Sequence, residues 1–524
     1  MLIKESVFLR KLPSLFLFFV ILLTLSVFIF LKIWQQPVAI EPAQNFFSQK
    51  KTVSLKTYLP GKIHYTLDGS LPTASSPIFD QDILIDKSSL LRSTVFIGNT
   101  KIANDQDYDF FVNTNYSVPI MSLSLASNET TDAYGNFLST KEGHLFGKAR
   151  YYEVDQKMVF EHKIKIELHG ESLNDAPQKS FRLIMVDEAG NRQGVSYPFF
   201  GPESPTYFTS LILRNDEAKY IHLREQVANQ IVAESSKLDA QRGKPIVLYI
   251  NGQYWGLYFL RERFDETYFE QKYNLKSEAL GLLEILLGGD VKGSMAPMNK
   301  KSEEDAKKLN KLIEEISRCK GCVSYSVADN LVDMENLIDY LFFEFYFANF
   351  DWPYNNYKVW RYQSEQLYLP ESEFIDQLDG RFRWLFFDSD VSFGAGRTTE
   401  ENMIRAAEGD PYEQLIDNAF PFRNIFYSPT FMKLYMNKME SLFAKQLSPE
   451  NTDKLVDYWA AQIRSEMPAE IERWKNHNSP DRAFALESMQ EWENQVNLLK
   501  VYLRERPRFF EEHTKDFFAK QEET

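Results

Sequence analysis

The hydrophobic and polar pattern changes texture several times along the chain. Residues 12–31 (LPSLFLFFVILLTLSVFIFL) carry no charge and, as a helix, would cross a hydrocarbon core of ~30 Å. The run is longer than a signal-peptide core, and KIWQQPVAI after it offers no small-x-small cleavage site, so an uncleaved anchor is expected. Lys4, Arg10 and Lys11 precede it and only Lys32 follows closely, which places the N-terminus in the cytoplasm and the rest of the chain beyond the membrane. Residues 51–112 then alternate short apolar runs with turn residues, the pattern of a small antiparallel β-domain. Within KIHYTLDGSLPTASSPIF a strand over 63–67 meets an Asp68-Gly69 turn, and Pro72 and Pro77 keep the following chain out of a ladder.

From residue 117 the segments lengthen. Residues 160–168 and 180–186 read as strands, DEAGN at 187–191 as a turn, and 221–234 as a helix with Leu223, Val227, Ile231 and Val232 on one stripe. Asn251-Gly252 between two apolar runs is a hairpin signal, whereas residues 280–297 follow no clear period. Residues 302–317 form a charged amphipathic helix, and Asp333 caps a helix over 334–347 that is apolar on nearly every side and therefore buried. Residues 431–518 are largely helical, with Trp459, Trp474 and Trp492 in core positions.

The buried helix delivers the chain to NFDWPYNNYKVWRY, and GRFRWLFFDSDVSFG follows after an acidic connection. Pro353 keeps 351–356 in a loop, while 357–362 and 381–387 read as strands. If these strands pair, Asp351 and Asn356 arrive at the same end as Asp388 and Asp390. Asp390, two residues beyond Asp388, joins the cluster if the chain turns, which Phe393-Gly394 and Gly396 permit. Hard oxygen donors of this kind suit Mg²⁺, and the order Asp-x-x-x-x-Asn, strand pair, Asp is that in which protein kinases set out their chemistry. The residues alone fit a structural Ca²⁺ site, or capping and turn residues, equally well. Upstream, Gly170, Ser172 and Lys179 in HGESLNDAPQKSFRL have the chemistry to meet phosphates, or form an ordinary hairpin with a solvated lysine. Arg261, Glu262 and Arg263 close an apolar strand, where a carboxylate either positions a nucleotide or pairs with its neighbours.

At 524 residues the chain has room for two or three domains, and 44% hydrophobic with 25% charged residues describes a globular protein. A net charge of −15 excludes a general nucleic-acid binder and favours basic substrates. Cys319 and Cys322 form a lone CxxC with too few neighbours for a structural zinc site, so a local disulfide or two thiols is expected. Asn128-Glu-Thr130 is a glycosylation sequon, relevant only in a glycosylating host.

Two resemblances add to this reading. Residues 65–73, YTLDGSLPT, resemble the β-sandwich appended to chitobiases and β-hexosaminidases, which implies an Ig-like accessory module acting as a spacer. HGESLNDAPQKSFR, LREQVANQI, LYINGQYWGLYFLRERFDETYF, DWPYNNYKVWRY and WLFFDSDVSFG, in that order, resemble the CotH family of atypical protein kinases over roughly 118–396. The resemblance implies an α+β fold with a divergent, two-lobed protein-kinase-like domain, here over 116–524, behind an anchor over 1–35 and an Ig-like sandwich over 36–115. It implies ATP- and Mg²⁺-dependent phosphorylation of Ser, or Thr, on a protein substrate with Ser-rich or basic segments. By position Asp351 matches the catalytic aspartate, with Asn356, Asp388 and Asp390 as metal ligands and Lys179 at the ATP phosphates. Arg224 and Glu262 match further motif positions and are assigned to cofactor binding. Asn349-Phe350 stands where typical kinases have His-Arg, and Asp388-Ser389-Asp390 replaces Asp-Phe-Gly, so activation-loop logic does not transfer. The competing readings are a non-catalytic surface or glycan-binding protein with a kinase-like domain, and another metal-dependent phosphoryl or nucleotidyl transferase.

Overall fold

Strands in this chain are written by β-branched and aromatic runs and stopped by Asn, Asp and Gly at positive φ. The computed structural model describes residues 36–125, 143–170, 178–202, 204–215, 221–285, 295–318, 323–350, 352, 356–363, 376–394, 398–404, 422–476 and 486–522. Two compact units emerge, Met1–Ile166 with Val247–Gly256, and Glu167–Ile246 with Leu257–Thr524.

In the first unit, Val38–Glu41, Lys51–Thr57 and Ile83–Ile85 form one antiparallel sheet, and Lys62–Thr66, Ser89–Ile97 and Gln106–Val112 carry a second. They share a core of Val38, Val53, Leu55, Ile63, Ile83, Ile85, Leu91, Val95 and Phe110. Gly69 takes φ +78°, and Asp68 accepts from the Ser70 amide at 3.0 Å, the turn chemistry expected of Asp-Gly.

The module is bonded to the strands that follow it. Asp109 on Gln106–Val112 is 1% exposed and accepts from Ser122 Oγ (2.8 Å), Tyr152 Oη (2.9 Å) and Arg150 Nη1 (3.4 Å). Asp107 binds Arg92 at 3.1 Å and Arg150 at 3.6 Å, so two carboxylates and two guanidiniums neutralise one another out of water. These bonds tie the module to the strands Ile120–Leu125 and His144–Tyr152. The hairpin turn of the same unit also meets the module, because a Cβ on Gly252 would lie 2.0 Å from the Leu90 nitrogen.

Seven strands close into a barrel in the order His144–Tyr152, Met158–Leu168, Phe181–Met185, Ser210–Arg214, Gln253–Arg261, Gly243–Ile250 and Ile120–Leu125. Asn251 and Gly252, at φ +49° and +78°, make the expected hairpin turn. The barrel corrects the expectation of a divergent two-lobed kinase-like domain: the architecture is a mixed α/β fold built on a closed sheet. A sequence pattern shows alternation along each strand but not which strand closes on which, and closure leaves no sheet edge for a separate lobe to be read from.

The second unit adds a five-stranded sheet, Asp239–Ala240, Arg383–Phe386, Lys358–Tyr362, Leu280–Ile285 and Met295–Pro297. The last two strands lie in the stretch that had no readable period. Lys358–Tyr362 and Arg383–Phe386 pair antiparallel with Val359 opposite Trp384. The helix Met334–Phe347 lies on this sheet, with ring centroids of Phe347 and Phe386 5.9 Å apart and those of Tyr340 and Trp384 6.2 Å apart. Every residue of it except Glu335 is buried. Asp333 caps its start by accepting from the Asn336 amide at 3.1 Å. At its other end Arg506, on the helix Met489–Glu522, donates to the last-turn carbonyls of Phe345 and Tyr346, both at 2.8 Å, where a cation also offsets the negative end of the helix. Trp474 and Trp492 are buried and Trp459 is half-buried.

The expected single-pass anchor is also corrected. Residues 12–31 lie outside the described residues, and among the described residues no helix is long and apolar enough to cross a membrane. The longest, Met489–Glu522, has the length but carries charges throughout. Cys319, Cys322 and Asn128 likewise lie outside the described residues.

Candidate functional site

Asp388 follows the strand Arg383–Phe386 in the left-handed region at φ +59°, an uncommon conformation for a residue other than glycine. Something must hold it there, and Glu225 does so, its Oε1 accepting from the Asp388 amide at 3.1 Å. Asn356, at φ +62° before the strand Lys358–Tyr362, donates its side-chain amide to the Asp388 carbonyl at 3.3 Å. Phe393 (φ +56°) and Gly394 (φ +66°) turn the chain, and the Phe393 amide donates to the Phe347 carbonyl at 2.7 Å. Around Asp390 the Ser392 amide donates to the Ser389 carbonyl at 3.2 Å, a turn that leaves Asp390 beside Asp388.

Single oxygens of Glu225, Asp388 and Asp390 lie within 4.8 Å of one another. Glu225 and Asp390 are 1% and 2% exposed, and Asp388 is half-buried. Carboxylates so far from water require counter-charge. Arg214, at the end of Ser210–Arg214, supplies it by donating Nη2 to Asp388 and, at 2.9 Å, to Asp390. Arg261, on the neighbouring strand, pairs with Glu225. Burial pushes the Glu225 carboxyl above its ordinary range, while Arg261 and Arg214 pull it back.

A further buried acid stands close by. Glu344 is fully buried in Met334–Phe347 and accepts from Asn349 Nδ2 at 3.0 Å. Its carboxyl is pushed up to about 8, chiefly by burial, with Asn349 and Tyr340 lowering it and Asp388 raising it. It therefore stands neutral near pH 7 and fixes the turn that leads into the loop after the helix.

The residues singled out from the sequence fare differently. Asn356, Asp388 and Asp390 come together. Asp351 lies outside the described residues, although its neighbours Asn349 and Trp352 are fully buried. Lys179 is buried just before Phe181–Met185, its carbonyl accepting from Tyr258 Oη at 2.8 Å. Arg224 opens the helix Arg224–Ser235, but it is the next residue, Glu225, that reaches Asp388. Glu262 turns to the backbone, accepting from the Arg242 amide at 3.1 Å, and burial pushes it up to about 7. Its neighbour Arg261 is the one that meets the cluster. Sequence reasoning thus missed Glu225, Arg214, Arg261 and Glu344. The signal for Arg214, Arg261 and Glu344 was present as charge at the ends of apolar segments (SLILR, YFLR) and within the apolar MENLIDYLFFEFYF.

Three buried or half-buried carboxylates with an adjacent amide form a hard-oxygen donor set that fits a divalent cation such as Mg²⁺. Comparison with curated proteins finds no match. Residues 42–101 match the chitobiase/beta-hexosaminidase C-terminal domain. Residues 166–510 match the CotH kinase protein family, a stretch that holds Arg214, Glu225, Asn356, Asp388 and Asp390 and covers well over half of the chain, so the protein belongs to that family.

Proposed function

We propose that this protein is an atypical protein kinase that transfers the γ-phosphoryl group of ATP to a serine or threonine hydroxyl of a protein substrate. The observation that supports this best is the meeting of Glu225, Asp388 and Asp390, with Asn356 alongside, inside the family-matched region. Asp388, Asp390 and the Asn356 amide would hold Mg²⁺, which when bound offsets the charge of the phosphates. Glu225 keeps Asp388 in its left-handed conformation and so sets the direction of its carboxylate. Asp351 is assigned to orient the acceptor hydroxyl and take its proton as the new P–O bond forms and ADP leaves. Lys179 is assigned to the ATP phosphates. The net charge of −15 suits an acceptor with basic, serine-rich segments.

The test compares wild type, Asp351→Ala and Asp388→Ala for ATP-dependent labelling of the protein itself and of a serine-rich basic protein. Labelling by wild type that falls at least 100-fold in both variants is expected. Equal labelling by all three refutes the kinase reading. Calorimetry with ATP and Mg²⁺ then separates a protein that binds neither from another metal-dependent transferase.

A further inference from the structure

The place between Asp388 and Asp390 that suits a divalent cation is taken by one nitrogen of Arg214. Arg214 is 7% exposed and sits at the end of a barrel strand, so its guanidinium is a built part of the site. Two guanidiniums, Arg214 and Arg261, thus face three carboxylates, Glu225, Asp388 and Asp390. A divalent cation added to that set brings excess positive charge against Arg214 at close range, where partial burial leaves little screening.

The ground around Arg214 is itself cationic. The His169 imidazole is held well below its ordinary range, by burial first and then by Arg214, Arg263, Lys358 and Arg182. Nearby acids are already engaged: Asp265 binds Arg192 at 2.8 Å and Arg263 at 3.4 Å, and Glu167 binds Arg182 at 3.7 Å. The Lys358 ammonium rests 4.9 Å over the Phe387 ring, opposite Glu284 in the sheet, and feels the charges of Glu284 and Asp388. Such a gathering of positive groups beside a metal-type carboxylate pair suits a multiply charged anion.

We propose that Arg214 is the resident counter-cation of the Asp388–Asp390 pair, that a divalent cation must displace it, and that the displaced guanidinium turns to a polyphosphate bound beside Arg182, Arg263 and Lys358. This rests on the functional reading only in placing a metal at Asp388 and Asp390. Metal and polyphosphate then bind as a pair, each strengthening the other by the same factor, because exchanging Arg214 between them links the two equilibria.

The experiment uses the full chain, Mn²⁺ as the metal probe and inorganic tripolyphosphate as the anion probe. Binding is followed by electron paramagnetic resonance and calorimetry, with direct Mn²⁺–tripolyphosphate association subtracted. In wild type each probe should tighten the other at least tenfold. In Arg214→Gln, Mn²⁺ alone should bind at least tenfold tighter than in wild type, and the mutual strengthening should shrink; Arg214→Lys should stay near wild type for Mn²⁺ alone. Independent binding of the two probes in wild type overturns the proposal without reference to any variant, as does unchanged or weaker Mn²⁺ binding by a folded Arg214→Gln protein. Linked binding without protein labelling would sink the kinase reading and leave Arg214 exchange standing. Labelling with unlinked binding would do the reverse.

Discussion

Replacing Glu344 with glutamine removes one titration from the core while nearly preserving shape and the contact with Asn349. The carboxyl is fully buried, and its value of about 8 in the folded protein stands well above the ordinary 4.5. Between those two values the folded protein therefore holds one proton more than the unfolded chain, and stability falls as pH rises. The contribution is complete below the ordinary value and is lost as pH climbs through about 8. At about 1.4 kcal/mol per pH unit, the wild type should lose on the order of 3 kcal/mol at this position between pH 5 and pH 8, and Glu344→Gln none of it. Urea unfolding followed by tryptophan fluorescence at pH 5, 6.5 and 8 measures the difference between the two proteins. It should move in favour of the glutamine variant as pH rises. A difference that does not change with pH, or one that moves toward the wild type, would mean that Glu344 is ionised in the folded protein and that burial does not control it.

Three other substitutions probe the frame around the site. Arg506→Met strips charged donors from the Phe345 and Tyr346 carbonyls and should cost about 3 kcal/mol, read as a lower urea midpoint. Arg150→Met leaves Asp107 and Asp109 buried with too little counter-charge and should cost about 3–5 kcal/mol by thermal unfolding, with Asp109→Asn recovering part of the loss in the double variant. Gly252→Ala forces a Cβ to 2.0 Å from the Leu90 nitrogen at φ +78° and should destabilise by more than about 1 kcal/mol, visible as faster proteolysis of the module.

Much of the local structure was legible because it obeys short-range rules. The helix Met334–Phe347, its Asp333 cap, the Asn251-Gly252 hairpin and the pairing of Lys358–Tyr362 with Arg383–Phe386 follow from apolar periodicity, capping chemistry and turn residues. The convergence of Asn356, Asp388 and Asp390 followed from that pairing. Residues 280–285 were illegible because a strand inside a sheet with its first four residues buried has no polar face to alternate with, and 295–297 because three residues are too few to show a period. The two motif residues chosen at Arg224 and Glu262 each lay one position from the group that enters the cluster. Neighbours on a helix or strand point in different directions, and only the packed structure shows which of them faces inward.

The sequence by itself determined the family, the chemistry available at residues 349–394, and most element types, since propensity, caps and turns are properties of a few consecutive residues. The tertiary structure alone decided that the strands close into a barrel, that the N-terminal module is joined through Asp107, Asp109 and Arg150, and that Glu225, Arg214 and Arg261 meet Asp388 and Asp390. Those outcomes depend on pairing charges and strand edges far apart in sequence. A buried charge or an open edge must find its partner wherever the fold brings one, and no local pattern records where that will be.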